Sequence, residues 1–290
     1  MVTETVLRAG RVTRYLPWLR GLEIVRRGYR KVIRRPDGWT LRIDDFDGDL
    51  KLDIDPRECV GITVWHKPDI FEKKERDIFC ENIHPGTMAL DIGANIGVYS
   101  LLVAKRGAHV FAIEADPSNA AKLRHHIELN GMEAGVTVFE MAASDKPGSV
   151  TIYRNPINSG GSNCFGGSQP VAVQARTIDS LDLPPIEICK MDVEGAEARA
   201  IVGMKETISR SPDFKLCVEY NPTLMVGDCS PLADVLHTIF ESVHVIGGHK
   251  LPEGIRPKGF CDLFCTKVRR GIDWDRAAGF ATRMKDPIAQ

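Results

Sequence analysis

Between residues 87 and 220 the sequence alternates short apolar runs with segments of helical spacing, and this alternation limits the fold more than any other feature. Strands are expected at 87–92, 108–113, 135–141, 186–191 and 214–220, with helices at 97–106, 117–130 and 195–209 between them. Apolar strands separated by helices imply a parallel sheet covered on both faces. Beyond residue 230, Leu232, Val235, Leu236, Ile239 and Phe240 mark a further helix, followed by strands at 242–246 and 260–267. The expected fold is α/β: a Rossmann-like, seven-stranded, mostly parallel sheet with helices on both faces and an antiparallel closing strand at its edge. One stretch, 149–177, interrupts the alternation with β-like ends around a Gly/Asn/Ser-rich loop at 155–167. A loop of that length in a compact domain is usually a binding loop or lid.

Three domains are expected: an N-terminal extension at 1–65, a catalytic body at 66–270 and a C-terminal tail at 271–290. The extension begins with a basic arm. Residues 1–35 carry ten Lys/Arg and two Asp/Glu, a balance of +8, which leaves −9 for the rest of a chain whose total is −1. Leu22, Val25, Tyr29 and Val32 form a stripe at helical spacing, with Arg20, Arg27, Lys31 and Arg34 largely off it. Such a helix can pack on the domain, on a second subunit in a homo-oligomer, or on an anionic membrane surface. Short β-like pieces follow at 39–43, 50–54 and 60–65, the first two joined by an Asp47-Gly48 turn. Asp69 is placed to cap a helix over 70–83. An acidic body disfavours a nucleic-acid grip over the whole surface. No apolar run is long enough to span a bilayer and no leader-like segment opens the sequence, so a cytoplasmic protein, with membrane-peripheral contact through 1–35 as the variant, is expected. The eight cysteines form no CxxC and several lie in apolar runs, as reduced core thiols do.

The sharpest local signal is Asp91-Ile-Gly93-Ala94-Asn95-Ile-Gly97, where a buried strand turns into a helix. Gly93 and Gly97 let backbone approach a ligand closely. Asn95 stands where the dinucleotide fingerprint needs its second glycine, which argues against NAD. Asp91 at the strand tip repels a pyrophosphate and attracts an ammonium group. S-adenosylmethionine carries an ammonium and a sulfonium and has no phosphate. Glu114, closing the next strand before Ala115-Asp116-Pro117, is placed to accept ribose hydroxyls.

A second cluster, Lys190-Met-Asp192-Val-Glu194-Gly195-Ala-Glu197, ends another buried strand, and Glu219-Tyr-Asn221 ends the next. In an open α/β sheet ligands sit outside the carboxyl ends of the strands, so these acids share a rim with Asp91 and Glu114. Asp192, Glu194 and Glu219 are the candidate catalytic acids; Asp192, Glu219 and Asn221 could instead bind a hard cation such as Mg²⁺ through oxygen. Helix capping is the competing structural role, above all for Glu197. The histidines at 84, 109, 125 and 126 read as structural or surface groups, whereas His244 and His249 lie nearer the closing strands.

Together, Asp91-x-Gly93-x-Asn95-x-Gly97, Ala143-Ser144-Asp145, Thr177-Ile-Asp179-Ser-Leu181 and Lys190-Met-Asp192-Val-Glu194-Gly195-Ala-Glu197 resemble the FkbM-type family of class I methyltransferases. The resemblance covers roughly 69–222. It implies an S-adenosylmethionine-dependent O-methyltransferase acting on a sugar, a glycan or glycolipid precursor, or a polyketide-like product. Asp91, Gly93, Ala94, Asn95 and Gly97 would hold the methionine end of the cofactor, and Glu114 with Ala115 the ribose. Met141 and Ala142 would line the adenine, through backbone or with help from Asp145, and Asp192 would sit by the transferred methyl. The competing readings are an RNA or other nucleic-acid methyltransferase and a non-catalytic cofactor-binding protein of the same fold.

Overall fold

The computed structural model describes residues 40–55, 58–66, 71–155, 163, 169–222 and 230–283. The basic arm, Asp69 and most of the 155–167 loop lie outside these residues. The chain forms two compact units: residues 1–73 with 155–160, and 74–154 with 161–290.

In the first unit, β1 (Leu41–Phe46) and β2 (Leu50–Ile54) form an antiparallel hairpin through Asp47-Gly48, both with positive φ as a tight hairpin turn requires. Leu41, Ile43, Leu50, Leu52 and Ile54 alternate with more exposed neighbours, so one face of the hairpin is buried. Residues 60–65, expected as a strand, belong instead to helix α1 (Cys59–His66). Short apolar β-branched runs do not distinguish the two states by pattern alone. Gly61 lets α1 lie close to β2: a Cβ there would stand 2.4 Å from the Asp55 carbonyl oxygen.

The second unit is built on a seven-stranded sheet. Its strands are β3 (Met88–Ile92), β4 (His109–Glu114), β5 (Val136–Glu140), β9 (Ile188–Met191), β10 (Lys215–Tyr220), β11 (Phe240–Val245) and β12 (Cys261–Val268), in the order β11-β12-β10-β9-β3-β4-β5. β10, β9, β3, β4 and β5 are mutually parallel. The antiparallel strand is β12, the last in sequence; it lies one place inside the sheet, between β10 and the edge strand β11. The α-helices are α2 (Lys73–Glu81), α3 (Val98–Ala104), α4 (Pro117–Asn130), α5 (Glu197–Val202), α6 (Lys205–Ser209), α7 (Ser230–Ile239) and α8 (Trp274–Ala281), with a 3-10 turn at Ile178–Leu181. α8 falls where a tail was expected. It packs on α7 and α5, with Ala277 and Ala281 buried.

The stretch interrupting the alternation forms a separate sheet of β6 (Ala142–Ala143), β7 (Gly148–Tyr153) and β8 (Pro170–Arg176). The single helix expected over 195–209 is split at Gly203-Met204. A Cβ on Gly203 would lie 1.9 Å from the Ser144 carbonyl oxygen, so the break lets the 144–145 segment pass against the helix. Asp179 then caps the second piece, accepting hydrogen bonds from the Glu206 and Thr207 amides. Asp145 is paired with buried Arg199 at 2.9 Å. The Ser144-Asp145 and Thr177–Leu181 motifs thus join the helix pair to the strands.

The strand order fixes where a ligand can enter. From β3 the chain proceeds outward through β4 and β5, then returns to the other side of β3 as β9 and β10. The reversal lies between β3 and β9, and at such a switch point a crevice opens at the carboxyl ends of the strands.

Candidate active site at the β3/β9 switch point

Asp91 and Lys190 are register partners on β3 and β9 and are both nearly buried. Burial raises the Asp91 pKa; the Lys190 charge and a 2.6 Å hydrogen bond from Ser100 Oγ oppose that rise. Lys190 Nζ also reaches Asp192 Oδ2 at 3.2 Å and lies 4.7 Å from the centre of the Tyr99 ring. The Tyr99 hydroxyl donates to buried Glu75 at 3.0 Å. Lys190 therefore serves as a cation shared by the two strand tips.

The turn after β3 is held at both sides. Gly93 and Ala94 donate their amides to the Ile113 carbonyl at 2.9 and 3.0 Å. Gly93 has φ +83, and a Cβ there would overlap the Asp192 carbonyl oxygen at 1.8 Å. Gly97 has φ +92, with Leu123 Cδ1 only 2.3 Å from its notional Cβ. Asn95 also takes positive φ, and its amide donates to Glu114 Oε2 at 2.7 Å. The other Glu114 oxygen accepts from the Asp116 amide at 2.8 Å. Burial pushes the Glu114 carboxyl up to about 7, against the pull of these two amides. Fully buried His126 adds a 2.7 Å contact from Nδ1 to the Ile96 carbonyl. No local motif pointed to His126, which sits mid-helix and reaches the turn only through the packing of α4.

Asp116 caps α4 through the Ser118 amide and is gripped by both sides of the Arg154 guanidinium, at 2.7 Å on one side. This ties the end of β7 to the end of β4. Met141 is buried in the main core, which leaves its backbone and the half-buried Ala142 and Ala115 at that end of the crevice. Asp145, considered for the adenine amine, is engaged by Arg199 instead.

Asp192, Glu194 and Glu219 come together: one carboxylate oxygen from each lies within 4.8 Å of the other two. Glu194 has φ +51 and Gly195 φ +101, a tight turn that places the two acids on one side. Burial, then repulsion from Asp192 and Glu197, pushes Glu194 up to about 8; burial and the charges of Asp192, Glu194 and Glu197 push Glu219 up to about 9. Glu197 Oε1 accepts from the Gly195 and Val193 amides, which precede the helix, so it braces the turn; α5 has Ala196 as its N-cap and no side-chain cap. Asn221 donates to Glu219 at 3.4 Å. Asp262, which the sequence reading passed over, is the register partner of Glu219 on β12, and the Asp192 charge helps raise its pKa after burial. A lone acid between Cys261 and Leu263 in an apolar strand was its only sequence signal. His244 contacts Ser242 and lies on edge strand β11.

A Rossmann-like sheet with acidic tips on its first two strands, a glycine turn between them and a second acidic rim across the switch point defines a class I methyltransferase domain. Residues 91–241, just over half of the chain, match the Methyltransferase FkbM domain family, and the chain belongs to that family. It is accordingly an S-adenosylmethionine-dependent methyltransferase by class. Among curated proteins it is similar to the 2-O-methyltransferase NoeI of Sinorhizobium fredii (29% identity over 171 residues, 50% of this chain and 68% of that protein). It is also similar to the hexuronic acid methyltransferase AglP of Haloferax volcanii (24% over 154 residues, 50% of this chain and 62% of that protein). The solved FkbM methyltransferase of Methylobacillus flagellatus aligns at 19% identity and TM-score 0.35, over 55% of this chain and 44% of that one. Among the described residues no helix is long and apolar enough to cross a membrane.

Proposed function

We propose that this domain transfers the methyl group of S-adenosylmethionine to a hydroxyl of a sugar or of a glycan or glycolipid precursor. The acidic rim beside the switch point carries the reading: Asp192 has one oxygen held by Lys190 and the other without a hydrogen-bond partner, in a side chain 27% exposed. The relatives NoeI and AglP, a 2-O-methyltransferase and a hexuronic acid methyltransferase by name, support a carbohydrate acceptor. A polyketide-like hydroxyl is the other acceptor compatible with this chemistry.

The residues present fit the cofactor. Asp91 and Glu114 are buried acids at adjacent strand tips, suited to an ammonium group and to ribose hydroxyls, and the turn between them carries glycines where side chains would collide. In this reading residues 93–97 with Asp91 hold the methionine portion, Glu114 and Ala115 the ribose, and the backbone near Met141 and Ala142 the adenine. When bound, the cofactor supplies an electrophilic methyl group on sulfonium. The protein must orient an acceptor oxygen in line and take its proton. The free Oδ1 of Asp192 is the proton acceptor we assign, with Lys190 fixing the carboxylate through Oδ2. Glu194 and Glu219 are poorer bases in the unliganded site, because their raised pKa values keep them largely protonated at neutral pH.

The test is incubation of the protein with methyl-labelled cofactor and a panel of hexuronic acid-containing glycans, neutral glycans and polyketide alcohols. Label should enter one class in an alkali-stable ether linkage, and Asp192→Asn should abolish transfer while still binding adenosylhomocysteine. Label found only in RNA, or in no glycan or polyketide alcohol, overturns the assignment.

A further inference from the structure

We propose that Asp192, Glu194 and Glu219 form a seat for a single hard divalent cation that all three ligate through oxygen. The inference rests on the pocket of the proposed function; with a cation on Asp192 Oδ1 that oxygen would no longer be the proton acceptor, and the ion would instead lower the pKa of the acceptor hydroxyl.

One oxygen from each acid lies within 4.8 Å of the others. Two ligands on opposite sides of a cation are separated by twice the metal–oxygen distance, about 4.2 Å for Mg²⁺ and about 4.8 Å for Ca²⁺. Only one pair can lie opposite, and three oxygens at the 4.8 Å limit would leave a centre about 2.8 Å from each, so one ion of this class is reached by closing the side chains by a few tenths of an ångström. Asp192 Oδ1 and Glu194 Oε2 are both buried and lack hydrogen-bond partners. Lys190 does not fill this role, because it bonds the other Asp192 oxygen.

A separate observation comes from Glu197, which is not one of the three ligands. It is 2% exposed, its Oε1 is satisfied by two backbone amides, and its Oε2 has no partner. The two amides it bonds, Val193 and Gly195, flank Glu194, so Glu197 sits against the turn that carries the cluster. Asp262 adds a further acid from β12. Buried carboxylate oxygens without donors are rare in folded proteins and mark a missing ion, proton or water. Among the described residues, Asp192, Glu194, Glu197, Glu219 and Asp262 gather at this rim, with Lys190 bonded to the second oxygen of Asp192. The side-chain oxygen donors also select hard cations over zinc, which favours nitrogen and sulfur.

The test uses the 290-residue protein stripped with chelator. Mn²⁺ is titrated and followed by the loss of its free-ion electron paramagnetic signal, with Mg²⁺ and Ca²⁺ as competitors. Adenosylhomocysteine binding is measured in parallel by calorimetry. One equivalent of Mn²⁺ should bind, displaced by Mg²⁺ or Ca²⁺. Asp192→Asn and Glu219→Gln should each weaken it at least tenfold, while Glu206→Gln, an exposed acid on α6, should leave it unchanged. Glu219→Gln relieves like-charge repulsion without touching the Lys190 pair, so without metal it should melt no lower than the wild type and should lose the Mn²⁺-induced rise in melting temperature; Asp192→Asn gives up the Lys190 pair and is read by Mn²⁺ binding alone. Absent or weak multi-site Mn²⁺ binding alongside normal adenosylhomocysteine binding overturns the cation seat and leaves the methyltransferase reading standing. Binding that persists in both variants also overturns it. Mn²⁺ binding without adenosylhomocysteine binding upholds the seat and overturns the cofactor pocket.

Discussion

Gly93→Ala tests how the two halves of the rim are joined. The new methyl group faces two separate obstacles. The first is conformational: φ is +83, and an L-residue held in the left-handed region costs about 1–2 kcal/mol. The second is steric: the Cβ would lie 1.8 Å from the Asp192 carbonyl oxygen, where real contacts do not fall below 3.0 Å, so backbone must move by 3.0 − 1.8 = 1.2 Å. That movement strains the Asp192 amide bond to Ile92 and the Gly93 amide bond to Ile113, both 2.9 Å and both in the buried sheet. Leaving buried backbone groups poorly paired costs about 1–3 kcal/mol. The sum is a loss of about 2–5 kcal/mol of unfolding free energy in urea, a large part of a typical domain's stability. Gly86→Ala is the internal control. Its φ is +90, but nothing lies within 4 Å of its notional Cβ, so it should cost only the conformational 1–2 kcal/mol. Gly93→Ala should also lose adenosylhomocysteine binding in calorimetry, because it displaces Asp192 from Asp91. Equal destabilisation by the two variants, with cofactor affinity retained in both, would refute the reasoning.

Two further outcomes follow from buried charges. Glu114, at about 7 when folded and 4.5 as a free side chain, keeps a proton that the unfolded chain has lost, so its contribution to stability is present below pH 4.5 and fades as pH rises through 7. Ribose hydroxyls donate to its ionised form, so adenosylhomocysteine affinity should rise with pH up to about 7 and then level off, with proton release in calorimetry at pH 6; Glu114→Gln should abolish this dependence, and an unaltered pH profile would contradict it. Lys190→Met removes the cation between Asp91 and Asp192, and breaking a buried pair costs about 3–5 kcal/mol, reduced here because Asp192 is partly exposed; denaturation showing a loss below 1 kcal/mol would contradict the role given to Lys190.

Much of the site was legible because parallel strands are buried on both faces and read as unbroken apolar runs. Any acid at the end of such a run, as at Asp91, Glu114, Asp192 or Glu219, stands out and can be assigned to the same rim. Groups brought in by tertiary packing were not legible. Glu75 lies on a helix with no motif around it, Tyr99 follows the glycine turn but nothing in the sequence pairs it with Glu75, His126 reaches the glycine turn from the middle of α4, and Asp262 arrives on an antiparallel strand far along the chain. The apolar β-branched residues of 60–65 suit a strand or a helix equally, and the helix found at Cys59–His66 packs with Gly61 close to the Asp55 carbonyl, a contact invisible in the local pattern. The split of the 195–209 helix depended on Ser144, more than fifty residues away in sequence, meeting Gly203. The Thr177 and Asp145 motifs, visible as part of a family pattern, turned out to brace the fold rather than touch the rim.

The most direct test of the account is a crystal structure with adenosylhomocysteine soaked to saturation. Density is predicted in the β3/β9 crevice, with ribose oxygens on Glu114, the amino group toward Asp91 and the sulfur facing Asp192. An empty crevice, or the nucleoside bound elsewhere on the molecule, would contradict it.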